Sequence, residues 1–303
     1  ATSYFVMHRK LAAMIRELDG WKDGGAMWEL FSRPANRAAA REAVMNEQAT
    51  VRLTELFKGI KGWKEKTFIP AINNSLSREG RIMVALNAGN EGNLQRLMDG
   101  DKWSAAQVRA VIDTLEKHEM DFVQGVWDFF EEYRTEIGAQ QRRLTGVEPE
   151  WVQATPVPTR HGTYKGGYIP VKYDGTRSTR SLSDEAAAGI MDLWRAARGS
   201  AKTRDSFTKA RADKVVDRPL KKDFGVITQH VTEVTHRLAW QEFLVDAQRL
   251  LRAAPIDSAI REHYGHHVLE AMRDTITDIA AGDLPAQNMM ETIANHLRTG
   301  TSI

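Results

Sequence analysis

Apolar residues recur along most of this chain at spacings of three and four, the period of a helix with one buried face. The sharpest case is Phe122, Val126, Phe129, Phe130, Tyr133 and Ile137, which predicts an amphipathic helix over 122–137 with Trp127 packed beside its stripe. Phe5, Leu11, Ile15 and Leu18 predict a helix over 4–18 that Asp19-Gly20 stops. Val44, Val51, Leu53, Leu56 and Phe57 predict a buried stripe on a helix over 36–57, and Gly59 to Gly62 break the pattern. Ser104 is placed to cap a helix through Val108, Val111, Ile112 and Leu115, because its hydroxyl accepts a first-turn amide. Ile227, Val231, Val234, Leu238, Trp240, Leu244 and Leu251 predict a long helix over 226–251 that Pro255 ends. Further helices are expected at 183–194, 256–279 and 286–297.

Three stretches break the helical period. A polar Gly-Asn loop, 87–93, separates the apolar runs 81–86 and 94–98. Pro149, Pro156 and Pro158 then fall within 146–158, where lost amide donors and restricted predecessors predict an extended strap. Next comes Thr-Arg-His-Gly-Thr-Tyr-Lys-Gly-Gly-Tyr-Ile-Pro-Val-Lys-Tyr-Asp, 159–174. Gly166-Gly167 between two β-prone runs predicts a hairpin with a two-residue turn, pairing Lys165 with Tyr168 and Tyr164 with Ile169. Alternation would then put Tyr164, Ile169, Val171 and Tyr173 on the packed face and Lys165, Tyr168 and Lys172 on the other, with Pro170 marking an edge.

The expected fold is therefore mainly α: a multi-helix assembly in one or two lobes with a small β-hairpin near 160–174. Its expected organisation is an N-terminal helical lobe (1–145), a strap, hairpin and basic arm (146–222), and a C-terminal helical lobe (223–303). No window holds about 18 uninterrupted apolar residues, so no membrane span is expected, and residues 1–10 carry no secretory signal. The chain begins at Ala1 without an initiator Met, and we expect a piece of something longer.

Charge and residue chemistry narrow the function classes. With no cysteine, disulfides, thiolate metal sites and cysteine nucleophiles are excluded. Net charge is only +2, yet residues 159–222 hold fifteen Lys/Arg against seven Asp/Glu. That asymmetry points to an anionic partner or a protein-docking face, with Arg160, Lys165, Tyr168, Lys172, Lys202, Arg204, Lys209, Arg211 and Lys214 as candidate contacts. A solvated basic face with no ligand is the competing reading.

Catalytic and metal signatures are sparse. His263 and His267 stand at i, i+4, but no further ligand motif accompanies them and Gly265 weakens the helix between. Glu131 and Glu132 point about 100° apart on a helix and do not oppose each other as an acid and a base. Glu116, His118 and His236 read as surface or interhelical polar groups. There is no phosphate loop, no Gly-x-Ser-x-Gly and no dinucleotide fingerprint, so no catalytic, cofactor or metal residues are assigned.

Several segments in order carry a resemblance: Ala85-Leu86-Asn87-Ala88-Gly89-Asn90-Glu91-Gly92-Asn93 with Arg96-Leu97, and Phe122-Val123-Gln124-Gly125-Val126-Trp127-Asp128. They continue with Leu144 to Pro149, His161 to Asp174, Ser206 to Arg211, and His236-Arg237-Leu238-Ala239-Trp240. Together, over roughly 80–300, they resemble a helical region inside the large multidomain polyvalent proteins of tailed phages and prophages, which include internal virion and ejection proteins. The resemblance implies a structural or interaction role in a protein packaged in the virion and delivered with the genome; the leading expectation is a non-catalytic module that touches other virion proteins and, through the basic 159–222, DNA. It carries over no catalytic residue. Two alternatives stay open: an enzyme module acting on cell wall or nucleic acid, and a protein-docking scaffold unrelated to a virion.

Overall fold

The computed structural model describes residues 12–22, 24–174 and 218–281. The helices expected at 183–194 and 286–297, most of the arm 199–222, and Phe5 and Leu11 lie outside the described residues. Helix α1 covers 12–18, and a π-helical turn, Trp28–Ser32, leads into α2 (Arg33–Phe57). A first hairpin, β1 (Lys66–Ile69) with β2 (Asn74–Ser77), is followed by α3 (Arg78–Asn87), α4 (Glu91–Asp101) and α5 (Ala105–Ile112). Then come α6 (Lys117–Glu132), α7 (Arg134–Thr145), and a second hairpin of β3 (Val157–Thr159) and β4 (Gly162–Tyr164). Helices α8 (Gly225–Arg252), α9 (Ala254–Tyr264) and α10 (His266–Ala281) complete the described chain. The described residues are mainly helical, as the hydrophobic period predicts, and carry small antiparallel β-hairpins.

The chain divides into two compact units, with divisions after Ala49 in α2 and after His230 in α8. In the first unit (described residues 12–49 and 231–281), Ile15, Phe31, Trp240, Leu269, Met272 and Ile276 form the centre of the core. Ala35 and Ala38 bring the α2 backbone close to that core, which is why Val44 is left 52% exposed although the stripe reading buries it. Asp19 accepts the Met27 and Trp28 amides at 3.0 and 2.7 Å, supplying the donor-satisfying carboxylate that a helix start requires. Glu42 joins His236 Nδ1 at 2.9 Å and accepts the Trp240 indole N–H at 2.7 Å, while His236 Nε2 meets the Ile279 carbonyl at 3.0 Å. Burial pulls the Arg237 guanidinium down to about 10, although its Nε donates to Gln241 at 2.8 Å.

The second unit (described residues 50–174 and 218–230) centres on aromatic packing. Phe57, Phe122 and Phe224 meet edge-on at centroid distances of 4.9 to 5.7 Å. Each such pair adds about 0.5–1.5 kcal/mol beyond its buried area. Ser104 caps α5 in a capping box with Gln107. The stripe expected over 122–137 is split: α6 ends at Glu132 and α7 begins at Arg134, with Tyr133 between them. Phe122, Val126, Trp127, Phe129, Phe130 and Ile137 remain buried on both sides of the break. Likewise, the single helix expected over 256–279 is two, because Gly265 sits at φ +89 and ends α9. The β1–β2 hairpin occupies a stretch to which the hydrophobic pattern assigns no element.

Candidate functional site

The basic, Tyr-rich stretch forms a hairpin whose turn is not at the glycine pair. Thr159 pairs with Gly162, so Arg160-His161 make the two-residue turn, with Gly162 at φ +120. The Thr159 hydroxyl accepts the His161 amide at 3.1 Å and donates to the Gly162 carbonyl at 2.9 Å. The predicted pairing across Gly166-Gly167 is corrected accordingly. These glycines serve close packing: a Cβ on Gly167 would lie 2.5 Å from Trp127 Cβ, and one on Gly166 would lie 2.1 Å from the Thr155 carbonyl oxygen. Gly89 faces the same indole, where an added Cβ would meet Trp127 Cζ2 at 2.4 Å. A Gly-Gly pair answers to a primed turn or to a tight backbone approach, and here the neighbouring indole selects the second.

Around these glycines the loop 87–93 holds the strap by its backbone. The Gly89 carbonyl accepts the amides of Thr155 and Gly167, both at 2.8 Å. Asn90 Nδ2 donates to the Gly167 carbonyl at 3.2 Å, and Asn93 Nδ2 donates to the Ile169 carbonyl at 2.8 Å. Asn90 is itself fixed as the N-cap of α4, where its Oδ1 accepts the Asn93 amide at 2.9 Å. Asn87 bonds back to the Met83 carbonyl at 2.8 Å. All three asparagines are buried, so each satisfied carboxamide avoids the roughly 1–3 kcal/mol cost of an orphaned polar group.

The strap then follows α6 along its length. Arg160 donates to Glu116 at 2.8 Å and to the Leu115 carbonyl at 3.1 Å; Tyr164 donates its hydroxyl to Asp121 at 3.0 Å; the Lys165 amide donates to Gln124 at 2.9 Å. Hydrogen bonds from Lys117 and then Tyr164 hold the Asp121 carboxyl below its ordinary value, while burial and the bond to Asp121 push Tyr164 up to about 12. Tyr168, only 4% exposed, packs its ring against Phe130 and His230 at centroid distances of 6.2 and 5.5 Å, and those two rings meet each other at 5.2 Å.

Where the strap ends, the two flanks of the residues 175–217 are joined. Tyr173 and Leu220 form an antiparallel bridge; the Asp174 amide donates to the Pro219 carbonyl at 2.9 Å, and the Lys221 amide donates to the Lys172 carbonyl at 2.8 Å. Arg218 lies over the Tyr173 ring at 5.1 Å. Lys222 donates to Asp101 at 2.5 Å and sits over Trp103 at 5.4 Å, with side-chain exposures of 10% for the lysine and 3% for the aspartate. The chain leaves at Asp174 and returns at Arg218, and the 43 residues between carry nine Lys/Arg against six Asp/Glu.

Among the sequence-derived contact candidates, Lys165 is exposed, Lys172 half-buried and Arg160 ion-paired with Glu116. Tyr168 is corrected from an offered ring to a buried one, because it belongs to the strap's packed face. Lys202, Arg204, Lys209, Arg211 and Lys214 lie outside the described residues. Glu116, His118 and Glu131 stand on solvated faces, Glu116 with Arg160 and Glu131 with Arg134 at 3.0 Å. His236 belongs to the other unit, where Glu42 and the Ile279 carbonyl occupy both ring nitrogens. Gly265 puts His263 and His267 on different helices, and among the described residues no group of three or more His, Asp or Glu is placed to hold a metal ion. No helix among the described residues is long and apolar enough to cross a membrane. Sequence reasoning missed the clamp of Gly89, Asn90, Asn93 and Trp127; its signal was an Asn-Gly loop rich in side chains able to bond another segment's backbone.

No family model, no curated protein and no solved structure matches this chain.

Proposed function

We propose that this chain is a non-catalytic interaction module of a phage internal virion or DNA-ejection protein, contacting other virion proteins and, through 159–222, DNA. The observation that carries the reading is the pinned base at Tyr173 and Leu220: a docked strap and a buried Lys222–Asp101 pair converge where the basic residues leave and re-enter. Lys221 and Lys222 pair with Asp223 and Asp101 at the base, and Arg160 pairs with Glu116 at the hairpin turn, so those cations are engaged within the chain. We assign the anion-binding role to Lys202, Arg204, Lys209, Arg211 and Lys214, together with Lys165 and Lys172 on the strap. Neutralising about five phosphates of duplex DNA gives a log–log salt slope near −4.5. Duplex binding measured at rising salt tests this part, and a flat response removes DNA from the reading. Peptide mass spectrometry of purified particles tests the virion part, and absence of this sequence from them refutes it.

A further inference from the structure

We infer that the second unit carries a distinct binding surface, over residues 58–68, that fits single-stranded nucleic acid by combining base stacking with phosphate neutralisation. The sequence there is Lys-Gly-Ile-Lys-Gly-Trp-Lys-Glu-Lys-Thr-Phe: four lysines and two aromatics with one acidic residue. Gly62 turns the chain at φ +61, and Trp63 is fixed by its indole N–H donating to the Ile60 carbonyl at 2.6 Å. An open depression of about 420 Å³ is lined by Gly62, Trp63, Lys64 and Glu65.

The surface is built to stay exposed. Lys66 and Phe68 lie two residues apart on β1 and so share one face, about 6.6 Å apart along the strand. Their cross-strand neighbours are Ser77 and Ser75, side chains too small to cover a ring, and Phe68 is 58% exposed. Ile69, on the opposite face, is buried and anchors the hairpin. Lys61 and Lys66 are exposed, and Lys64 keeps 81% of its side chain in solvent while its ammonium donates to Glu79 at 2.7 Å. Lys58 pairs with Glu55, Lys64 with Glu79 and Glu65 with Arg78 at 3.1 Å, so the charge of this stretch rests on exposed Lys61 and Lys66, with Lys66 on the face of Phe68.

An uncovered aromatic ring with a lysine on the same strand face and another exposed lysine in the adjoining loop matches the recognition used for unpaired bases, which offer a π-face and a charged backbone together. A duplex hides its base faces, so the surface selects single strands. The inference is independent of the strap and its basic segment.

Fluorescence anisotropy of a labelled oligothymidine at low salt tests it. The native chain should bind with a log–log salt slope near −1.4, from about two contacts at about −0.7 each. Phe68→Ala should weaken binding roughly tenfold, Phe68→Trp should keep it, and Lys61→Glu with Lys66→Glu should abolish it, all without moving the thermal midpoint. Absence of binding by the native chain, or equal binding by Phe68→Ala, overturns the inference. So does Phe68-dependent capture of phosphatidylserine vesicles without oligonucleotide binding. Duplex binding through 159–222 should be unchanged in Phe68→Ala, which separates failure here from failure of the proposed function.

Discussion

Two stretches of the second unit share a composition, and the fold treats them in opposite ways. Residues 159–174 and 58–68 both interleave lysine or arginine with aromatic rings and glycine. In the first, Tyr168 is 4% exposed and the glycines bring backbone against Trp127; in the second, Phe68 is 58% exposed and Gly62 turns the chain at φ +61, with Lys61 and Lys66 exposed. The difference lies in what faces each ring. Phe130 and His230 enclose Tyr168, whereas Ser75 stands across from Phe68. Basic-aromatic composition therefore marks a candidate surface, and the partner side chains decide whether that surface is offered or consumed.

The strongest way to break this comparison is at the strap's base. Asp101→Ala leaves the Lys222 ammonium buried without its carboxylate and should cost about 3–5 kcal/mol in denaturant unfolding. Replacing the pair together, Asp101→Leu with Lys222→Met, should recover most of that loss. Gly167→Ala places a Cβ against Trp127 and should cost about 1–3 kcal/mol, while a neutral result would mean the strap is not packed there. Asn93→Ala removes the donor to the Ile169 carbonyl and should cost about 1–3 kcal/mol, with amide exchange near Ile169 rising in step.

Smaller effects sharpen the contrast. Tyr164 has its folded value raised to about 12 from an unfolded value near 10. Its contribution is therefore fully present below about pH 10 and fades as pH climbs through 12. Tyr164→Phe should flatten that alkaline loss, and an unchanged profile would place it elsewhere. Phe68→Ala, on the exposed surface, should move stability by less than about 0.5 kcal/mol.

The helices were legible because their signal is local. The Ser104 cap and the apolar rows of α6 and α8 follow from spacing alone. Breaks were less so: Tyr133 and Gly265 end helices that the apolar rows alone would continue. Val44 was misread because Ala35 and Ala38, too small to stand out in the pattern, carry the contact of α2. The clamp was hidden for a different reason. Asn90 and Asn93 bond residues 77 and 76 positions away, and nothing in a loop's own sequence names the distant backbone it will hold. Gly166-Gly167 satisfied a local turn rule, yet the indole of Trp127 determined its use.

Lysine acetylation followed by mass spectrometry, with and without an oligothymidine, compares the two stretches directly. Lys61 and Lys66 should lose reactivity when the oligonucleotide is bound, while Lys222 should stay unreactive throughout because Asp101 and Trp103 pack against its ammonium. Undiminished labelling of Lys61 and Lys66 at saturating oligonucleotide, or ready labelling of Lys222 in the folded chain, would contradict the division into an offered and a consumed surface.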